Sequence, residues 1–184
     1  MKDFCLNDLR KFALPILILT GVAGGNQSFC QSRESLVKAG YIEKFTHFVQ
    51  WPETSTKSES IYVFTLAVIG ENTFGNDLDN LFSKTKIKNN RVQIKYISSV
   101  DEIGDCLILF ISGSEKNNLT RILQQTTGKP ILTISDSKGF CIKGVIINMF
   151  QEGDYIRYEI NRSALGKSGL IINSLLLNSA VIIK

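Results

Sequence analysis

The sequence predicts an α/β domain of three layers, in which helices cover both faces of a mixed and mainly parallel sheet. Almost unbroken apolar segments at 61–69, 106–111 and 131–134 have the length and composition of strands that are buried on both faces. Segments with helical periodicity lie between them, as expected where a chain crosses from one parallel strand to the next. Two further strands on either side of a turn at Gly153 predict a hairpin, and a C-terminal helix follows it.

The first predicted helix covers 34–51, and Pro52 ends it because the residue before a proline disfavours helical geometry. Its apolar residues share one stripe, which consists of Val37, Tyr41, Ile42, Phe45, Phe48 and Val49. A polar loop follows at 53–60, and the first buried strand at 61–69 stops at Gly70.

The middle of the chain alternates short helices with strands. The predicted order is a helix at 76–83, a strand at 92–97, a helical turn at 100–103, a second buried strand at 106–111, a helix at 116–125 and a third buried strand at 131–134. Only the strand at 92–97 alternates apolar with polar residues, which is typical of a strand with one exposed face.

The C-terminal part adds the hairpin and the helix. Its predicted elements are strands at 145–150 and 155–160, a short helix ending at Lys167, and an apolar closing segment at 170–183 that is helical over 174–180. Asn161 is the predicted cap of the short helix, and Gly169 ends it. Because no repeat or long linker divides the chain, residues 29–184 are predicted to form one domain.

Composition excludes several classes of protein. The net charge of the 184 residues is only +4, and no basic run concentrates it, which argues against a nucleic-acid binder. One histidine and four scattered cysteines provide no recognisable metal centre, cofactor site or catalytic set. His47 lies on the polar side of the first helix and is interpreted as a solvated surface residue. The sequence therefore predicts a binding or regulatory protein and not an enzyme.

Residues 1–28 are predicted to be a signal peptide, so the mature protein is expected in the periplasm. A basic start precedes an apolar run at 12–24, which is shorter than the roughly 20 residues that cross a membrane. Asp3 and Asp8 are unusual in such a segment, and the cleavage site stays open between Gly24 and Cys30. The competing interpretation is a buried first strand or helix of a cytoplasmic protein.

Small polar segments follow three of the predicted buried strands. The residues are Gly70 after the first, Ser112 and Ser114 after the second, and Ser135 and Asp136 after the third. Ligands of open α/β sheets bind beyond the carboxyl ends of the strands, so these residues form a candidate small-molecule site. The competing interpretation is that such residues only cap helices and form turns. The loop 70–75 lacks the Lys-Ser/Thr pair of a phosphate loop and is interpreted as a turn.

Two further pairs are candidates for function. Trp51 and Pro52 end the first helix, where an exposed aromatic ring would anchor a partner. The closing segment 175–183 is the other candidate for such an apolar patch, and the competing interpretation places Trp51 and the helix stripe in the core. Cys106 and Cys141 are candidates for a disulfide in an oxidising compartment, or else each is a small apolar core residue.

The order of several sequence blocks resembles the YfiR family of bacterial periplasmic proteins. The blocks are FTHFVQWP, LAVIGENTFG, CLILFIS, PILTISDSKGFCIKGVIINMF and IRYEINRSALGKSGLIINSLLLNSA. They extend from about Ser35 to Val181, and Trp51, Cys106 and Asp136 stand at matching places.

The resemblance implies a regulator that binds the periplasmic part of an inner-membrane diguanylate cyclase and holds it inactive. Such binding lowers cyclic di-GMP and biofilm formation. It also implies a homodimer in some members and a small-molecule ligand in others. The redox-active members pair the counterparts of Cys106 and Cys141 with cysteines at positions where this chain has Ala67 and Asn148, so those two bonds are not expected here.

Two functions therefore follow from the sequence. The first is repression of a diguanylate cyclase. The alternative is a periplasmic small-ligand-binding accessory protein of an outer-membrane uptake or sensing system, which the strand-end segments support.

Overall fold

The computed structural model describes residues 25–52 and 63–184, with side chains from Arg33 onward. Nearly all of the predicted signal peptide and the whole polar loop at 53–60 lie outside the described residues. The first helix, α1 (Gly25–Phe48), begins before the predicted helix and ends three residues earlier. It ends early because Val49 and Gln50 form strand β1, which pairs antiparallel with β8 (Ile171–Ile172).

Seven strands form the main sheet: β2 (Phe64–Ile69), β3 (Val92–Ile97), β4 (Ile108–Ile111), β5 (Leu132–Ser135), β6 (Ile147–Glu152), β7 (Tyr155–Asn161) and β9 (Val181–Ile183). Their order across the sheet is β3-β2-β4-β5-β6-β7-β9. Strands β2 to β6 are parallel, β7 runs antiparallel to β6, and β9 runs parallel to β7. The sheet is mixed and mainly parallel, as predicted.

Short helices connect the strands. They are α2 (Asp77–Phe82), α3 (Leu119–Thr126), α4 (Phe140–Lys143), α5 (Arg162–Ser168) and α6 (Ser174–Asn178), with 3-10 turns at Val100–Glu102 and Gly113–Asn117. Asn161 caps α5 as predicted, because its side-chain oxygen accepts a hydrogen bond from the Ala164 N–H, and Gly169 ends that helix with a φ of +73°.

Each face of the sheet carries its own apolar core, because successive strand residues point to opposite faces. Leu66 and Phe110 belong to a cluster that contains residues of α1, α2 and α6. Ala67 and Leu109 belong to a second cluster, which α3 and Phe140 help to cover. The fold is therefore the predicted three-layer α/β sandwich.

The structure differs from the sequence prediction at both ends of the domain. Val37 has the spacing of the predicted apolar stripe of the first helix, but it is 42% exposed, whereas Ile42, Phe45 and Val49 are fully buried. The predicted helix at 174–180 ends at Asn178, and the chain then adds β9 to the sheet through the pair Ile182 and Ile160. A three-residue strand is too short to produce a recognisable alternation.

Candidate functional site

The carboxyl edge of the parallel strands brings the predicted ligand residues together. Gly70 follows β2, Ser112 and Ser114 follow β4, and Ser135 and Asp136 end or follow β5, and these three strands are neighbours. The Glu71 N–H donates a hydrogen bond to Ser114 Oγ at 2.9 Å. A Cβ atom on Gly70 would lie 2.4 Å from the same Ser114 oxygen, and the φ of Gly70 is +89°. The loops at this edge therefore pack against one another without space between Gly70 and Ser114.

The serine hydroxyls of β5 and its loop bond within the protein. Ser135 Oγ donates to the Ile111 carbonyl at 2.7 Å and accepts from the Ser137 N–H at 3.2 Å. Ser112 is 2% exposed, and its N–H donates to the Ile69 carbonyl. The Ser135 hydroxyl and the Ser112 N–H are therefore both hydrogen-bonded within the fold.

Helix α1 covers Asp136 at the same edge. Lys38 Nζ lies 2.7 Å from Asp136 Oδ2 and 2.6 Å from Glu34 Oε1. The Lys38 and Asp136 side chains are 15% and 12% exposed, so the pair is largely shielded from water. Burial alone would lower the pKa of Lys38, but hydrogen bonds and attraction from Asp136 and Glu34 outweigh it and raise that pKa above 10.5. Asp136 is therefore an anchor for α1 in this structure.

A groove of about 620 Å³ lies between α1 and the β6–β7 hairpin. Its lining residues are Arg33, Glu34, Val37, Tyr41, Gln151, Asp154, Tyr155 and Ile156. The Tyr41 hydroxyl donates to the Ile156 carbonyl at 2.9 Å and fixes the helix against the hairpin. Glu34 belongs both to this groove and to the Lys38 network, so the groove adjoins the carboxyl edge.

A second cavity of about 220 Å³ continues along α1 toward α6, with Tyr41 lining both. Three apolar side chains beside the two cavities are open to solvent: Val37 is 42% exposed, Tyr155 is 76% exposed and Leu175 is 66% exposed. We call Val37, Tyr41, Phe48, Tyr155 and Leu175 the α1 surface. Residues 37, 41 and 48 share one helix face at spacings of four and seven.

Of this surface, the sequence indicated Leu175 as part of a candidate patch, whereas it assigned the α1 residues to a core-facing stripe and did not indicate Tyr155. Tyr155 directly follows the predicted hairpin turn, and because turns run over the protein surface, this position is the signal that could have found it. No local sequence pattern indicates the ion pair of Lys38, because its partner Asp136 lies 98 residues away in the sequence.

Trp51 lies in the core. Its ring is 9% exposed and packs edge-on against Phe64 with centroids 5.1 Å apart. Its Nε1–H donates to the Leu107 carbonyl at 3.2 Å, and the Lys88 ammonium lies 5.0 Å from the ring centroid. Pro52 is half-buried beside it. In this conformation Trp51 is part of the core and presents no exposed ring to a partner.

Cys106 and Cys141 are separate, free and buried. Helix α4, which carries Cys141, contacts β6 and β7, whereas Cys106 precedes β4, two strands from β6. Two strand spacings are about 10 Å, more than the roughly 7 Å that a disulfide spans between Cα atoms. Burial raises the pKa of each thiol to about 12, so both remain protonated and weakly reactive at neutral pH.

The remaining candidates for chemistry are few. His47 Nε2 contacts Glu43 Oε1 at 2.6 Å on the exposed side of α1. Across residues 25–52 and 63–184, no three His, Cys, Asp or Glu side chains come together in a way that would hold a metal ion. In the same part of the chain, no helix combines the length and apolar composition needed to cross a membrane.

Comparison with known proteins identifies a family whose profile matches the sequence and solved structures that share the fold. The sequence profile of the YfiR/HmsC-like family matches residues 35–181. No curated protein matches the chain.

Two solved structures share the architecture at 9% sequence identity. A conserved domain protein from Vibrio cholerae O1 biovar El Tor strain N16961 has a TM-score of 0.55, with 82% of this chain and 60% of that chain covered. The ABC domain in complex with L-Trp from Streptococcus pneumonia has a TM-score of 0.54, with 81% of this chain and 60% of that chain covered. The chain thus spans about 60% of the length of these two structures, and the likeness concerns the fold.

Proposed function

The chain belongs to the YfiR/HmsC-like family, and on that premise we propose that it is a periplasmic protein that binds and represses an inner-membrane diguanylate cyclase. The family is regulatory and non-catalytic, and its members act in the periplasm. Repression would lower cyclic di-GMP and biofilm formation. Export would depend on the predicted signal peptide at 1–28.

The observation that carries this proposal is the α1 surface. Val37, Tyr155 and Leu175 are exposed apolar side chains next to two cavities, and exposed apolar patches of this kind mark interaction sites. Tyrosine is enriched among the residues that dominate binding energy at protein interfaces. Charged Arg33, Glu34 and Asp154 line the same groove and supply the polar rim that such interfaces have.

The histidine and the two described cysteines also favour a regulator over an enzyme. The only histidine of the chain is exposed and paired with Glu43, and burial keeps both described thiols protonated. Neither His47 nor either thiol lines the groove between α1 and the β6–β7 hairpin.

The test is deletion of the gene in its native host, with cyclic di-GMP measured by mass spectrometry. We expect the level to rise and to return when the wild-type gene is restored. An unchanged level in a strain that expresses a diguanylate cyclase with a periplasmic sensor would overturn the proposal.

The second candidate function is a periplasmic small-ligand binder that serves an outer-membrane uptake or sensing system. The groove of about 620 Å³ beside the carboxyl edge favours it, because ligand pockets are typically about 300–1,000 Å³. Asp136, Ser114 and Gly70 would lie next to such a ligand only if Lys38 released Asp136. The test is a thermal-shift screen with a metabolite library. A ligand that raises the unfolding temperature of the wild type but not of Tyr41→Ala would support this function. A screen in which no compound changes the unfolding temperature would contradict it.

A second copy of the chain is the other protein that the α1 surface would accept. Light scattering on purified protein shows whether the chain is a monomer, with its α1 surface open to the cyclase, or a homodimer. A dimer that Tyr155→Ser dissociates would place the homodimer contact on the α1 surface and the cyclase elsewhere.

A further inference from the structure

A third cavity lies at the opposite, amino edge of the sheet, away from the α1 surface. Its volume is about 320 Å³, at the lower end of small-molecule sites. Residues before β5 and β6 line it together with Asn161 at the end of β7 and residues of α5. The apolar part of the lining comes from Leu123, Ile131, Ile142, Ile146 and Ala164.

The charged side chains that line this pocket all have the same sign. Lys143 from α4 and Lys167 from α5 line it, as does Lys184 after β9, and no Asp or Glu is among the lining residues. Within the described part of the chain, neither Lys143 nor Lys167 makes an ion pair. Glu159 lies on the same strand as Asn161, but it accepts a hydrogen bond from Asn148 and does not line the pocket. The two ammonium groups are therefore uncompensated.

The other polar side chains of the pocket are mostly committed to the fold. Asn161 caps α5 and donates to the Cys141 carbonyl at 2.7 Å, and Thr133 Oγ1 accepts from the Ile146 N–H. The Ser163 hydroxyl, by contrast, makes no hydrogen bond among the described residues and is free to donate. Two ammonium groups and a hydroxyl, which α4 and α5 contribute to the lining of one concave site, suit a tetrahedral oxyanion. Ammonium groups bind phosphate as point charges without a fixed plane.

We propose that the amino-edge pocket, with Lys143, Lys167 and Ser163 as donors, binds the phosphate group of a small soluble molecule. The apolar lining would contact the organic part of that molecule. This site is separate from the cyclase-binding surface proposed above and does not depend on it.

Isothermal titration of the purified protein with inorganic phosphate, pyrophosphate and glycerol 3-phosphate tests the proposal. At least one of the three should bind at low ionic strength, and added salt should weaken the binding because exposed charges are screened. Lys143→Gln and Lys167→Gln should each weaken it about tenfold, which corresponds to roughly 1.4 kcal/mol. The double variant should lose measurable binding.

Lys116→Gln is the matched control, since Lys116 is an exposed lysine outside the pocket and its loss removes the same charge. It should leave the affinity within about twofold of wild type. The proposal is overturned if no probe binds at millimolar concentration, or if Lys116→Gln weakens binding as much as the pocket variants do. Thermal unfolding of each variant shows that an affinity change is not a loss of folding.

Discussion

The Lys38 ammonium lies 2.7 Å from the Asp136 carboxylate, and this pair joins α1 to the loop that follows β5. The Ser35 hydroxyl donates to Asp77 on α2, so α1 is held at two places near the carboxyl edge. The helix thereby covers the edge at which open α/β sheets bind ligands, and its outer face presents the α1 surface.

Replacing Lys38 with Met should destabilise the protein by about 2 kcal/mol, because the largely buried Asp136 loses its counter-charge. The midpoint of thermal unfolding should fall by about 4–8 °C. Asp136→Asn in the same chain should restore part of the loss. The exposed pair His47 and Glu43 is the control, and His47→Gln should cost about 0.5 kcal/mol or less. Equal losses at the two sites would contradict the anchoring role of Asp136.

The difference in unfolding free energy between wild type and Lys38→Met should become smaller as the pH rises through the alkaline range. The folded pKa of Lys38 is raised above 10.5, so the folded state holds the proton more tightly than the unfolded state. The contribution of Lys38 is therefore fully present below about pH 10.5 and is lost as the pH rises through the folded pKa. Urea unfolding of both proteins from pH 8 to 11.5 checks this. A difference that grows with pH would show that the pKa is lowered instead.

Cys106 and Cys141 should not react with iodoacetamide in the native protein at pH 8. Both thiols are buried with a pKa raised to about 12, and only the thiolate is a nucleophile. Peptide mapping by mass spectrometry should find both labelled after unfolding in guanidinium. Rapid native labelling of either cysteine, or a peptide that links the two under oxidising conditions, would contradict the described burial and separation.

Gly70→Ala should destabilise the protein more than Gly75→Ala. Both glycines have a positive φ, of +89° and +56°, so each alanine introduces backbone strain of about 1 kcal/mol. Only at Gly70 would the new Cβ also meet Ser114 Oγ, at 2.4 Å, whereas nothing lies within 4 Å at Gly75. We expect a loss of about 2–3 kcal/mol at Gly70, relieved in part by Ser114→Gly. Equal losses would show that the loops are not tightly packed.

The sequence predicted the elements that have a strong local pattern. Strands such as β4 are apolar throughout because both faces of the sheet are covered, and the Asn161 cap and Gly169 stop of α5 are local signals. It did not predict α4, a single turn between Gly139 and Gly144 that has no periodicity to read.

The candidate site was less predictable, because it depends on contacts between distant residues. The strand-end residues do meet, as the parallel order of β2, β4 and β5 requires, but nothing local indicates that α1 would cover them through Lys38. The apolar stripe of α1 is also broader than the face that the core covers. Val37 therefore remains exposed although it has the spacing of a core residue.

The most direct test of the central claim is complementation of the deletion strain with variants of the α1 surface, with cyclic di-GMP as the measured quantity. The double variant Tyr155→Ser/Leu175→Ser removes two exposed apolar side chains and should leave cyclic di-GMP as high as in the deletion strain, at normal protein level. Ile171→Ser removes a comparably exposed apolar side chain outside that surface and outside all three cavities, and it should restore the wild-type level. Full repression by the double variant would contradict the claim that the α1 surface binds the cyclase.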